Sequence, residues 1–287
     1  MSFLTRAQAI ALPGQSHPLM PDVRYPAINP EDPYIQQYDF YKKLLQGAWK
    51  IPEVDNPNYA PPIVFFDHFC QHGVDYTAAL GNWLEDIDTT HWLSLDENYG
   101  WAGATTHTTA ESENWLKSLN QGWLPATSGK PIHFETKVRI TEGATNTSAW
   151  FLGLCSAPAK DAIVDTTGVM LATALDFIGF HKDTGELTYD FVVSNSTTRT
   201  TTASVGTEVS ATAMRLGMKI IPGLDVDGAE NVLKAQCIPY VNGVAGTALE
   251  VLLSGLEEMN ICFGIKNITG TSVEKMAMDY VACAQGL

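Results

Sequence analysis

The chain has 287 residues, 45% of them hydrophobic, and sets 17 Lys+Arg against 32 Asp+Glu for a net charge of −15. A chain this apolar can bury a core, which excludes global disorder. Nucleic acid is excluded as the main ligand, because phosphate recognition needs clustered Lys and Arg and no basic run occurs.

The N-terminus, MSFLTRAQAIALPGQSHP, carries a short apolar patch without the length or cleavage site of a signal peptide. No stretch reaches the ~20 apolar residues of a membrane span, so no membrane partner is expected. Ten of the 15 prolines fall in residues 1–62. A segment so poor in backbone donors runs extended, as polyproline II. One helix interrupts it: Asp32 suits the cap, Pro33 the first turn, and Ile35, Tyr38, Tyr41 and Leu45 follow at helical spacing before Gly47. Residues 1–62 therefore read as an arm whose apolar stripe docks on a partner, and residues 63–287 as the folded domain.

From Ile63 the dominant period is two. IHFETKVRI (132–140) turns Ile132, Phe134, Val138 and Ile140 inward and His133, Glu135, Lys137 and Arg139 outward. AWFLGLC (149–155) reads as a buried strand. DAIVDTTGVMLATAL (161–175) fits either a short helix or a long loop. In 177–193 a hairpin turns at Asp183-Thr184-Gly185, with Leu187, Tyr189, Phe191 and Val193 on one face. The following TTRTTTAS (197–204) predicts an exposed or inter-subunit strand, since threonine forms strands and tolerates water. MRLGMKII (214–221), VLKAQCIPYVNGV (232–244) with its Asn-Gly turn, MNICFGI (259–265) and KMAMDYVACA (275–284) complete an all-β series. Many short strands with turn residues between them mean an antiparallel sandwich or jelly roll.

Motifs for chemistry are scarce. GxSxG, HExxH, GxxxxGK[ST] and GxGxxG do not occur. In DHFCQH (67–72), His68, Cys70 and His72 share one strand face, but three alternate positions on one strand do not close a zinc tetrahedron, and no metal is expected. DVDG (225–228) lacks the remaining oxygens of a calcium loop and reads as a turn. Glycoside hydrolysis needs paired carboxylates, and the acids are scattered, as at Glu257-Glu258 in a loop. Tyr99, Trp101, Trp115 and Trp123 could stack on sugars, although packing is the commoner role of such rings. The five cysteines are widely spaced and read as buried free thiols of a chain made in a reducing cytoplasm. No catalytic residue, metal or cofactor is assigned.

The strand texts VFFDHF, GKPIHFETKVRI, AWFLGLCSA, DFIGFHKDTGELTYDFVV and IPYVNGV resemble a group of tailed-bacteriophage structural proteins. The likeness runs from Val64 to Ala284 and is most specific over residues 129–193; GLDVDGAENVLKAQC looks like an insertion. It implies a concanavalin- or laminin-G-like β-sandwich and a non-enzymatic virion component made in the host cytoplasm. The implied role is a head decoration (cement) protein on the capsid surface, bound to the major capsid protein and to sister subunits, with a trimer favoured. The alternative on the same fold is a lectin-like carbohydrate-binding module of a virion or cell surface.

Overall fold

The structure, a computed structural model, describes residues 63–67, 83–87, 93–95, 102–118, 122–125, 130–157, 159, 161–170, 175–196 and 198–285. Chain contacts divide the molecule into Met1–Pro61 and Pro62–Leu287, and the described residues all belong to the second unit. The arm stripe of Ile35, Tyr38, Tyr41 and Leu45 lies outside the described residues, as do His68, Cys70, His72, Tyr99 and Trp101.

The described residues form strands and no helix. In chain order they are β1 (Ile63–Asp67), β2 (Trp83–Ile87), β3 (Leu93–Leu95), β4 (Ala102–Thr105) and β5 (Ser112–Ser118). Then come β6 (Ile132–Thr141), β7 (Ser148–Cys155), β8 (Asp176–Lys182), β9 (Thr188–Asn195) and β10 (Arg199–Thr207). The series ends with β11 (Ala213–Leu224), β12 (Glu230–Val241), β13 (Val244–Ala245), β14 (Leu249–Leu252), β15 (Asn260–Asn267) and β16 (Lys275–Gln285). A nine-stranded sheet runs β13-β12-β11-β6-β16-β4-β3, with β1 added on β16 and β14 on β12. A seven-stranded sheet runs β10-β9-β8-β7-β15-β5-β2. The last two strands return to the interior of both sheets, which makes this an antiparallel jelly-roll sandwich, as the sequence pattern predicts.

The inward residues of both sheets make one core. Phe134, Val138 and Ile140 of β6 meet Leu152, Ile178, Phe180, Phe191 and Phe263 of the opposite sheet. Trp83 and Phe263 pack edge to face with centroids 5.2 Å apart, and Phe180 and Phe191 lie 5.3 Å apart. Each such side chain, fully buried, contributes about 1.5–3 kcal/mol. β7 is buried at all eight positions. Its alternate residues face two different cores: Trp150, Leu152 and Leu154 point between the sheets, while Ala149, Phe151 and Cys155 join a second cluster on the outer face.

Residues 161–170 create that second cluster. They form no helix but a loop, laid as a strap across the outer face and bridged Val164 to Met170, with Ile163, Val164 and Met170 buried on Trp115, Phe151, Phe177, Val192 and Cys262. The Asn-Gly turn forms as expected, with φ of 51° at Asn242 and 83° at Gly243, the pair of positive values a type I′ hairpin needs. Two positions depart from simple alternation. Leu187 precedes β9 and is 56% exposed, and His133, on the outward face of β6, is buried. Burial, with Lys219 nearby, brings the His133 imidazole down to about 4.

Candidate ligand-binding cleft

The outer face of the seven-stranded sheet is closed by its own chain. Gly264, Gly153 and Gly179 leave a floor on which rings lie flat: a Cβ at Gly264 would enter the Trp115 indole, and one at Gly179 would come within 2.9 Å of Phe151 Cζ. The strap lies over these rings. Trp115 Nε1 donates to Glu113 Oε2 at 2.8 Å, and Asp161 N donates to Glu113 Oε1 at 2.9 Å. Lys266, opposite Glu113 in the ladder, reaches Glu113 Oε2 at 3.5 Å and also bonds Asp161. Burial pushes the Glu113 carboxyl above its ordinary value, with Trp115 and Lys266 pulling the other way. At the far end of the strap, Met170 N donates to Asp183 Oδ1 (2.8 Å), Arg199 Nη1 donates to Met170 O (3.0 Å), and His181 bonds Asp183. Glu113 is fully buried and cannot meet a substrate.

A second cage closes one end of the sandwich. Lys182 Nζ donates to Glu142 Oε1 and to Ser148 O, both at 2.9 Å, and stands 4.0 Å from Glu208 Oε2. Trp150 Nε1 donates to Glu208 Oε2 at 2.6 Å. Glu274 receives Gly143 N, Thr147 Oγ1 and Ser272 Oγ. Environment separates the two glutamates. Burial raises Glu208, partly offset by Lys182. Burial also acts on Glu142, but bonds from Ser148, Lys182 and Asn146 outweigh it and hold that carboxyl below its ordinary value. Opposed shifts of this kind mark acid and base pairs in enzymes. Here both groups are spent on an enclosed lysine.

An open cavity of about 420 Å³ lies at the sandwich edge, between β10 and the β12–β13 hairpin. One wall is a bulge. Thr202 pairs with Phe191 and Gly206 with Tyr189, so Ala203, Ser204 and Val205 stand opposite Asp190 alone. Ser204 takes φ of 56°, its N–H donating to Asp190 Oδ1 at 2.7 Å and its hydroxyl to Thr188 Oγ1 at 3.3 Å. Strained backbone outside glycine persists only where surrounding contacts hold it. The hairpin supplies Pro239, Val241, Val244, Ala245, Gly246 and Thr247. Gly246 N donates to Pro239 O at 2.8 Å, and the turn is pinned by Asn242 N to Arg215 O at 2.7 Å. The lining carries hydroxyls and apolar carbons and no charged side chain.

Trp115 and Trp123 are core residues, 1% and 0% exposed, rather than a stacking platform. Asp225 Oδ1 accepts the N–H groups of Asp227 and Ala229, a turn as the sequence suggests. Among the described residues no group of three or more His, Cys, Asp or Glu is placed to hold a metal. Cys155, Cys237, Cys262 and Cys283 are buried free thiols, Cys155 pushed up to about 12 by burial. Sequence reasoning missed both lysine cages and the cleft. The cages had a signal: Lys182 and Lys266 each follow a run of buried strand residues, where a cation needs a partner.

No family model and no curated protein matches the chain. Solved structures do. An endo-1,3-beta-glucanase from Streptomyces sioyaensis superposes with a TM-score of 0.52 at 14% identity, over 77% of this chain and 95% of that one. Peanut lectin gives 0.50 at 12% identity, over 79% and 98%. The fold is a concanavalin-like, legume-lectin-type β-sandwich. Nothing in the comparisons points to a phage or to a decoration protein; what they share with that resemblance is the sandwich.

Proposed function

We propose that this chain is a non-enzymatic, lectin-like module whose edge cleft binds a neutral carbohydrate. The lining of the cleft carries the reading: the hydroxyls of Thr202, Ser204 and Thr247 stand beside Pro239, Val241 and Val244 in about 420 Å³. A sugar ring presents hydroxyl edges and C–H faces, and this lining answers both. Side-chain hydroxyls donate and accept, and small-molecule sites commonly span about 300–1,000 Å³. Without charge in the lining, an uncharged ligand is favoured, because a buried charge needs a partner.

Each hydrogen bond is exchanged against water for a net of about 0.5–1.5 kcal/mol. With no ring to stack on, the expected dissociation constant lies roughly in the millimolar range. Fold likeness to a lectin and to a glucanase is compatible with binding and with hydrolysis alike. Hydrolysis needs two carboxylates facing one space. The cleft has none in its lining, and Glu113, Glu142 and Glu208 are held on buried lysines. The virion decoration role implied by the strand texts has no such site to support it.

The test is a multivalent display of the full chain on an array of neutral glycans, followed by incubation with the glycans retained. Retention of neutral glycans, weakened by Thr247→Ala and without release of shorter sugars, is the expected result. Silence across the array, or cleavage of a bound glycan, overturns the proposal.

A further inference from the structure

We infer that β10 is a self-pairing edge: two copies of the chain join antiparallel along Arg199–Thr201, about a two-fold axis at Thr200. This goes beyond the glycan reading and does not rest on it.

Unpaired sheet edges invite other strands, and folded proteins blunt them by shortness, charge, proline or bulges. Among the described strands, the outer ones are short: β13 has two residues, β3 three, β14 four, β1 and β2 five. β10 has nine. Arg199, Thr200 and Thr201 are exposed, and residues 196–207 contain no acid, no proline and no lysine. In a molecule of net charge −15, a surface that meets its own copy must be one without carboxylates. The one charge on this run, Arg199, is drawn to the strap, where Nη1 donates to Met170 O at 3.0 Å.

Backbone direction selects the register. Asn195 N donates to Thr198 O, so the Thr198 backbone faces β9. By alternation Thr200 and Thr202 face β9 too, and the N–H and C=O of Arg199 and Thr201 point outward. Antiparallel pairing centred on Thr200 sets Arg199 against Thr201 of the second copy and Thr201 against its Arg199. About four backbone hydrogen bonds follow, with Thr200 facing itself in the close, non-hydrogen-bonded position. The bulge after Thr202 bends the strand away. It confines the contact to this straight stretch and leaves the cleft open. Such a contact is isologous, so it yields a dimer rather than the trimer that the phage resemblance implies.

The full chain is examined by sedimentation velocity at tens of micromolar. A dimer is expected for the wild type, and a monomer for Thr200→Asp and for Thr200→Lys. An equimolar mixture of the two variants should restore the dimer, which also shows that both remain folded. Thr200→Cys should cross-link on mild oxidation, while Thr207→Cys, beyond the bulge, should not. A monomeric wild type, or an oligomer indifferent to both charge variants and without the Thr200→Cys cross-link, overturns the inference.

Discussion

Lys182 pulls two neighbouring carboxyls the same way, yet burial outweighs it at Glu208 while bonds from Ser148 and Asn146 add to it at Glu142. It bonds Glu142 directly and stands farther from Glu208, and the two carboxyls shift in opposite directions. For Glu142, held below its ordinary value, the stabilisation is present above the unfolded-state value. It is lost as pH falls through the lower folded value. For Glu208, raised mainly by burial, the folded state favours the proton, so stability falls as pH rises from the unfolded value through the higher folded one. Thermal melts across about pH 3–8, which brackets the ordinary carboxylate range, should show this as opposite slopes. Glu142→Gln loses ground against the wild type as pH rises through the acid range, and Glu208→Gln gains ground as pH rises toward neutrality. Parallel slopes would remove the separation between the two. The cage could be half read in the sequence. A lysine ending a buried strand announces a need for a partner, but Glu142, Glu208 and Glu274 come from three different turns, and only the fold brings them together.

At the scale of elements, alternation marked the inward faces of β6 and, at Tyr189, Phe191 and Val193, of β9. It was silent on β7 and β15, which are covered on both sides and therefore show apolar runs instead of a period of two. The reason is the strap, 161–170, whose own text has no helical or strand period because it borrows a surface made by distant residues. The cleft was equally hidden: it needs a bulge in β10 and a hairpin 40 or so positions away, a distance only the topology closes. The strap and its floor give a direct prediction. Gly264 lies under the Trp115 indole, so Gly264→Val must displace that ring, and its bond to Glu113 goes with it. The cost should be about 1–3 kcal/mol in urea unfolding, the usual range for overpacking. A red shift of tryptophan emission should accompany it as the strap lifts. Wild-type stability and emission in this variant would mean that the outer cluster is not packed as described.

At the largest scale, the described residues form a sandwich whose buried lysines, Lys182 and Lys266, are each held by carboxylates, with a described open cavity at one edge. The strap lies on the outer face of the seven-stranded sheet, over Trp115, Phe151, Phe177, Val192 and Cys262, and so takes that face from any ligand. The proposed binding role rests on the side cleft, whose lining offers hydroxyl residues and no carboxylate. The measurement that bears most directly on this account is a calorimetric titration of a neutral glycan retained by the array. It compares the wild type with Ala245→Trp, which fills the cleft from its exposed hairpin wall without touching the core. The account predicts millimolar-range binding by the wild type, on the order set by a few hydrogen bonds, and none by the filled variant at unchanged melting temperature. Equal binding by both proteins would contradict it.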